Sequence, residues 1–246
     1  MTGVAVVIPA YNEAGTIREI AQRTLCQVPW LIVVDDGSTD GTADAVAGLP
    51  LTLLRNPENR GKGASLWRGI AHAIGEDAEV IVTLDGDGQH LPEDIPRLLA
   101  AHAAHRNAIV IGSRMHEKRN FPLARYIANQ FGNFCISWAA RRPIEDSQSG
   151  FRAYPGALFR PLNTRTDRTG GFVFETEVLI DAARSGVEVT TVPVPAIYEQ
   201  RARPSHFRPV PDFTRIGWMV TCKIVSRGFD LPGLVRSLRG PKGTGG

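Results

Sequence analysis

Val80-Ile81-Val82-Thr83-Leu84-Asp85-Gly86-Asp87-Gly88-Gln89-His90 is the stretch on which the fold turns. Its first five residues are apolar or β-branched and read as a buried strand. Two carboxylates then follow at i and i+2, with glycines between and after. An Asp/Gly run after a strand is an ordinary solvated turn. It is also a place for a hard divalent cation, which takes one or two carboxylates and completes its shell with substrate phosphate oxygens.

Outward from this run, short apolar segments alternate with helical patterns. Strands are predicted at Val4–Ile8, Leu31–Asp35, Leu51–Leu54, Val80–Leu84 and Ala108–Gly112. Helices are predicted at Glu13–Leu25, Thr39–Ala47, Gly63–Ile74 and Pro92–His105, then at Phe121–Ala140 and Val173–Ser185. Val187–Ile197 reads as a strand whose Pro193 and Pro195 assign it to an edge or a bulge. Such alternation makes an α/β domain, a mostly parallel sheet with helices on both faces. Ligands bind beyond the carboxyl ends of such strands. The polar, glycine-rich sequences lie there, after Ile8, Val34, Leu84 and Ile111.

The 246 residues suffice for one sizeable domain with an appendage, and 43% hydrophobic with 22% charged residues is the balance of a soluble globular chain. No stretch approaches the roughly 20 apolar residues of a spanning helix, and the N-terminus shows no secretion signal. Cys26, Cys135 and Cys222 have no metal-ligand spacing and read as partly buried cytosolic thiols. The net charge is +3, yet from Gln200 onward nine basic residues face only Asp212 and Asp230, so the rest of the chain is net acidic. A basic C-terminal fifth suits an anionic partner or is simply a solvated tail. Asp212–Val225 is amphipathic, with Phe213, Ile216, Val220 and Ile224 on a face that reads as core-packing. Gly240–Gly246 reads as a disordered tail.

Three further runs carry chemistry. Val7-Ile8-Pro9-Ala10-Tyr11-Asn12-Glu13 and Val33-Val34-Asp35-Asp36-Gly37-Ser38-Thr39-Asp40-Gly41-Thr42 each end a strand in a polar turn. Asp36 can accept hydrogen bonds from a base or ribose and Tyr11 can cover a base, while Ser38 or Thr39 can cap a helix. Asn59-Arg60-Gly61-Lys62-Gly63-Ala64-Ser65 opens a helix, where backbone N–H groups and Lys62 favour an anion. It lacks P-loop spacing, and no Gly-x-Gly-x-x-Gly follows the first strand.

VIPAYNE, VVDDGSTDGT, NRGKGAS, LDGDGQHLPEDI, IGSR, DSQSGFRAYP and GFVFETEVLI, in this order over residues 3 to 210, resemble the family-2 glycosyltransferases of GT-A (Rossmann-like) fold. Within that family they are similar to the dolichyl- or polyprenyl-phosphate sugar synthases. The resemblance implies a GT-A domain over residues 1–210, an amphipathic basic helical segment over 211–239 and a tail from 240. It places Pro9, Tyr11, Glu13, Asp36, Lys62 and Asp85 at the nucleotide sugar, and Asp85, Asp87 and Gln89 at Mg²⁺ or Mn²⁺. Arg114 and Arg125 fall where relatives clamp the acceptor phosphate, a task suited to the guanidinium fork. Asn129, Arg201 and Ser205 fall at the same acceptor site. The catalytic set implied is Asp87, Asp146, Arg114 and Arg125.

The resemblance thus implies metal-dependent, inverting transfer of a hexose from a GDP- or UDP-linked sugar to a polyprenyl phosphate, by a cytoplasmic protein peripherally bound to the membrane. Asp146 acts as general base in relatives whose acceptor is a sugar hydroxyl. A phosphate acceptor needs no base, and Asp146 would then orient Arg152 or the donor sugar. Glu175 and Glu177 suit either a helix start or the active site. At Tyr198–Phe207 the chain departs from the family: the usual glycine and lysine are missing and His206 stands in the lysine's place. A nucleotide-sugar-binding protein without transfer is the alternative of another class. Nucleic acid is not expected as a partner, because aromatic and basic residues do not interleave.

Overall fold

The computed structural model describes residues 3–105, 107–115, 123–160, 173–195, 209–225 and 230–238. Seven strands form one sheet: β1 Val4–Ala10, β2 Leu31–Asp35, β3 Thr52–Arg55, β4 Val80–Thr83, β5 Ile109–Ser113, β6 Arg152–Pro155 and β7 Val189–Pro193. Their spatial order is β3-β2-β1-β4-β6-β5-β7, and every neighbouring pair is parallel except the two made by β6. β7 lies at the edge that its prolines require.

Among the described residues eight α-helices surround the sheet: α1 Ile17–Leu25, α2 Thr42–Ala45, α3 Lys62–Gly75, α4 Ile95–Ala104, α5 Leu123–Ala140, α6 Val173–Arg184, α7 Pro209–Val225 and α8 Leu231–Leu238. β1 is buried along its whole length because both faces are covered. Ala5 and Val7 join Ile32, Val34 and Ile81 beneath Leu66 and Ile70 of α3, Ile136 of α5 and Leu179 of α6. Val4, Val6 and Ile8 join Val33, Val82 and Val110 beneath Ile17 and Ile20 of α1 and Leu98 of α4. Val220 and Ile224 of α7 are buried in the first of these cores, so that face packs inward as its pattern implies. Phe213 and Ile216 of the same predicted face lie outside the residues whose side chains are described, as does the 240–246 tail.

Three expectations shift. α1 starts at Ile17 rather than Glu13, because residues 13 to 16 form a turn held by Thr42 and Asp40. α2 shrinks to four residues for the same reason: Asp40 and Gly41 belong to the turn. Cys26 and Cys222 are exposed rather than partly buried, and only Cys135 is half-buried. Strand β6 was not expected at all. Arg152 and Pro155 at the ends of a four-residue run hide its period.

β6 is what completes the site. Being antiparallel, it sets its first residue, Arg152, opposite Thr83 at the carboxyl end of β4 and opposite Ile111 of β5. The loop of residues 146–151 that leads into β6 therefore arrives at the edge where β1, β2 and β4 end.

Candidate active site

At that edge the loop after β1 is stitched to the loop after β2. The backbone N–H of Asn12, a residue with φ of 56°, donates to Ser38 Oγ at 2.9 Å, and its Oδ1 accepts the Thr39 N–H at 2.9 Å. The N–H groups of Glu13 and Ala14 donate to Thr42 Oγ1 and Asp40 Oδ2 at 2.8 and 3.1 Å. Thr16 Oγ1 donates to the Gly86 carbonyl at 2.8 Å, which joins both loops to the Asp-x-Asp turn. Pro9, next to last in β1, is part of this frame, paired with Val34, and Tyr11 just beyond the strand is half-buried.

Asp36 is buried and organises the next segment. Its Oδ1 accepts Asn56 Nδ2 at 2.7 Å and the Arg60 N–H at 3.0 Å, and its Oδ2 accepts the Gly61 N–H at 2.8 Å. Three of the about four acceptor positions of the carboxylate are thus used within the chain. The main role visible here is to shape the loop that launches Lys62.

Lys62, the first residue of α3, sends its ammonium to Asp85 Oδ1 at 2.7 Å and to Glu175 Oε2 at 3.1 Å. Burial opposes the charge, yet Asp85 and Glu175 together hold the lysine above its ordinary pKa. For Asp85, Lys62 outweighs the burial that would raise its carboxyl and keeps it below the usual range. For Asp87, burial and the like charge of Asp85 both push upward. Gly150 makes room for this cluster: a Cβ there would stand 2.7 Å from Asp85 Oδ2 and 2.8 Å from Lys62 Nζ. The Gly150 carbonyl is itself held by Thr83 Oγ1 at 2.7 Å.

Gln89 links the turn to the acceptor side. Its backbone N–H and its Nε2 donate to the two oxygens of Asp87 at 3.0 and 2.8 Å, and its Oε1 accepts Arg114 Nη1 at 3.0 Å. The backbone N–H of Arg114 donates to Asp146 Oδ2 at 2.8 Å. Asp146 is buried with φ of 48°, a conformation that aspartate tolerates better than most residues. Beside them His90 is buried against Phe151, with ring centroids 5.3 Å apart. Burial and the charge of Arg114 depress it to about 3, so it is a neutral ring.

Arg152 fixes the loop from below. It is fully buried and donates to the carbonyls of Ser149 at 2.7 Å, Ser147 at 2.6 Å and Glu175 at 2.9 Å. Asn133 of α5 accepts both the N–H and the hydroxyl of Ser147, at 2.9 and 2.7 Å. Asn133 was not singled out from the sequence; its place one turn after Asn129 is the signal that points to it. Asn129 is buried as well.

The edge thus brings together Pro9, Tyr11, Glu13, Asp36, Lys62, Asp85, Asp87, Gln89, Arg114 and Asp146. The two glutamates divide: Glu175 is buried on Lys62, whereas Glu177 is 3.5 Å from Lys223 of α7 and serves the helix packing. Asp146 accepts the Arg114 N–H, and its charge also acts on the buried guanidinium of Arg152. Arg125 lies on α5 with its side chain outside the described set, and Arg201, Ser205 and His206 lie outside the described residues.

The donor set suits a hard divalent ion. Asp85 and Asp87 offer carboxylate oxygens, and their mutual repulsion is what a cation relieves. Among the described residues no third His, Cys, Asp or Glu joins them, so an ion held there would need further ligands from outside this carboxylate pair. Gln89 braces Asp87 through its amide N–H and accepts Arg114 on its amide oxygen, which keeps a second lone pair.

The model of glycosyl transferase family 2 matches residues 5–164. The chain is 30% identical over 200 residues to the polyprenol monophosphomannose synthase of Mycolicibacterium smegmatis, covering 77% of this chain and 75% of that one. It is 27% identical over 218 residues to the UDP-N-acetylglucosamine–dolichyl-phosphate N-acetylglucosaminyltransferase of Methanococcus voltae, covering 80% and 86%. Among solved structures, glucosyl-3-phosphoglycerate synthase from Mycobacterium tuberculosis, in complex with Mn²⁺, UDP-glucose and phosphoglyceric acid, is similar at a TM-score of 0.64 and 22% identity. That likeness covers 91% of this chain and 79% of that one, and it establishes the GT-A fold. With its catalytic edge built on the matched residues, the chain belongs to glycosyl transferase family 2, and it is a glycosyltransferase related to the polyprenyl-phosphate sugar transferases.

Proposed function

We propose that the protein transfers a hexose, with inversion and with Mg²⁺ or Mn²⁺, from a GDP- or UDP-linked sugar to a polyprenyl phosphate at the cytoplasmic face of a membrane. The observation that carries this reading is Arg114. Its Nε is buried and has no hydrogen-bond partner among the described residues, while Gln89 and Asp146 fix the residue from both ends beside the Asp-x-Asp turn. An unsatisfied buried guanidinium donor costs about 1–3 kcal/mol or more unless an anion takes it. A phosphate does so with two parallel bonds. The names of the two relatives add a polyprenol or dolichyl phosphate as their lipid.

Arg114 holds the acceptor phosphate, and the family resemblance assigns Arg125, Asn129, Arg201 and Ser205 to the same task. The phosphate is already an anion, so its oxygen attacks the anomeric carbon without a general base. Asp146 keeps the Arg114 backbone in place. Pro9, Tyr11, Glu13 and Asp36 frame the nucleotide, and Lys62 offers positive charge to its diphosphate. A metal bound by Asp85 and Asp87 supplies Lewis-acid neutralisation of the departing nucleoside diphosphate. The rest of the rate enhancement comes from positioning and preorganised charge.

Contact with the lipid surface is supported by α8. Leu231, Val235 and Leu238, at i, i+4 and i+7, are 65%, 52% and 65% exposed on one side of that helix. Arg227, Arg236, Arg239 and Lys242 flank or share this segment in the sequence. An apolar stripe with basic flanks is the pattern of a helix lying in an anionic interface. Among the described residues no helix is long and apolar enough to cross a membrane.

The test is a thermal-shift screen of UDP, GDP, dTDP and CDP with and without Mn²⁺. A ligand at a hundred times its dissociation constant adds about 2.7 kcal/mol of apparent stability. A metal-dependent shift with one nucleotide, lost in Asp87→Ala, names the donor. No shift with any of the four removes the donor half of the proposal.

A further inference from the structure

The Lys62 ammonium occupies one oxygen of a carboxylate that a divalent ion would share. It stands 2.7 Å from Asp85 Oδ1, in the space that Gly150 leaves open. A metal on Asp85 and the ammonium on the same carboxylate would repel one another, which favours movement of the lysine. Glu175 is the group that can take the lysine. Its Oε2 is already 3.1 Å from Lys62 Nζ, and its Oε1 is buried with no hydrogen-bond partner among the described residues. A buried carboxylate oxygen left unsatisfied is costly. A second N–H from the same ammonium would satisfy it. The backbone of Glu175 is anchored, its carbonyl accepting Arg152 Nη1 at 2.9 Å.

We propose that Lys62 is the resident counter-cation of Asp85, and that Glu175 is the positioning residue that draws Lys62 off when the divalent ion binds. Between substrates the lysine neutralises Asp85 and keeps the two carboxylates of the turn from repelling one another unchecked. When the metal arrives, the ammonium shifts fully onto Glu175, within reach of the diphosphate that comes with the metal. Metal and nucleotide binding are thereby coupled: the ion alone must displace the lysine, whereas the ion with a nucleoside diphosphate gives the lysine a new anion. The inference rests on the metal-dependent reading above.

The experiment measures Mn²⁺ affinity directly, by the electron paramagnetic resonance signal of free Mn²⁺, with and without UDP or GDP. The proteins are the wild type, Lys62→Met, Glu175→Gln and the double variant, each checked for native unfolding cooperativity. Lys62→Met is expected to bind Mn²⁺ more tightly than wild type when no nucleotide is present, and to lose most of the nucleotide's enhancement. Glu175→Gln is expected to bind Mn²⁺ about 10–100-fold more weakly, the usual effect of removing a group that orients a metal ligand. In the Lys62→Met background the Glu175→Gln change should do little, because Glu175 acts through the lysine. Unchanged Mn²⁺ affinity in both single variants, or an equal loss from Glu175→Gln in the two backgrounds, overturns the inference while leaving the metal site standing. A wild type that binds no Mn²⁺ with either nucleotide overturns the metal reading and this inference together.

Discussion

Asp146 accepts the backbone N–H of Arg114 at 2.8 Å, across 32 residues of chain. The carboxylate thereby sets the base of the side chain proposed to grip the acceptor. Asparagine at 146 keeps an oxygen for that N–H, whereas alanine does not. With a polyprenyl phosphate acceptor, Asp146→Asn should lower kcat by less than about tenfold, far short of the 10²–10⁴ lost with a general base. Asp146→Ala should chiefly raise the KM for the acceptor. Steady-state kinetics on the two variants separate these cases, and a kcat loss above about 10² in Asp146→Asn would favour a hydroxyl acceptor.

Gly150→Ala is expected to harm binding more than folding. The new methyl meets the ends of two side chains, Asp85 at 2.7 Å and Lys62 at 2.8 Å, and both can swing away. Stability should therefore fall by no more than about 1–3 kcal/mol, the usual range for one extra methyl in a packed site. Swinging away displaces the metal ligand, so nucleotide affinity in Mn²⁺ should drop about tenfold or more. Calorimetric titration and urea unfolding of the same preparation read both effects.

Arg152 supports three backbone carbonyls from a fully buried position. Arg152→Met fills much of the volume but leaves those acceptors dry. At about 1–3 kcal/mol for each buried acceptor left unsatisfied, the loss should be at least about 3 kcal/mol. It should appear as a lower urea midpoint with an unchanged slope. A shift under about 1 kcal/mol would mean that water replaces the guanidinium.

The start of α8 is pinned by Asp230, which is buried and accepts Arg141 Nη2 at 2.6 Å, Arg141 Nε and the Gly233 N–H at 3.2 Å. The Arg141 hydrogen bonds hold its carboxyl down at about 2. An unfolded aspartate titrates near 3.9. A carboxyl depressed on folding stabilises above its unfolded pKa, and that contribution is lost as the pH falls through its folded pKa. Asp230→Asn should thus be less stable than wild type at pH 7, and the gap should close between about pH 4 and pH 2. Urea unfolding across that range checks it; a gap that persists at pH 2 would contradict the pairing.

What the sequence made legible was the parallel half of the fold. Val4–Ala10, Leu31–Asp35 and Val80–Thr83 are apolar but for Asp35 and Thr83 at their ends because both faces of those strands are covered, and the turns after them carry the expected polar residues. The antiparallel strand β6 escaped because half of its residues are Arg152 and Pro155. Its arginine is buried for the sake of carbonyl groups, which no hydropathy pattern encodes. Among the site residues, Asp85, Asp87 and Lys62 share the edge as expected. Asp36 proved to hold its own chain, since the three N–H donors that use it come from residues 56, 60 and 61, distant in sequence. The division between Glu175 and Glu177 was likewise hidden: two residues apart on a helix, they point to different neighbours, and only packing says which.

The central claim is transfer of a sugar to a lipid phosphate, and it is tested most directly by product analysis. The protein is incubated with Mn²⁺, GDP-mannose or UDP-glucose and a short-chain polyprenyl phosphate in detergent, and the lipid is examined by mass spectrometry. The expected result is a lipid carrying one hexose on its phosphate, formed with one of the two donors, abolished by chelator and absent with Asp87→Ala. Unmodified lipid phosphate with both donors, alongside hexose transfer to a sugar hydroxyl, would contradict it.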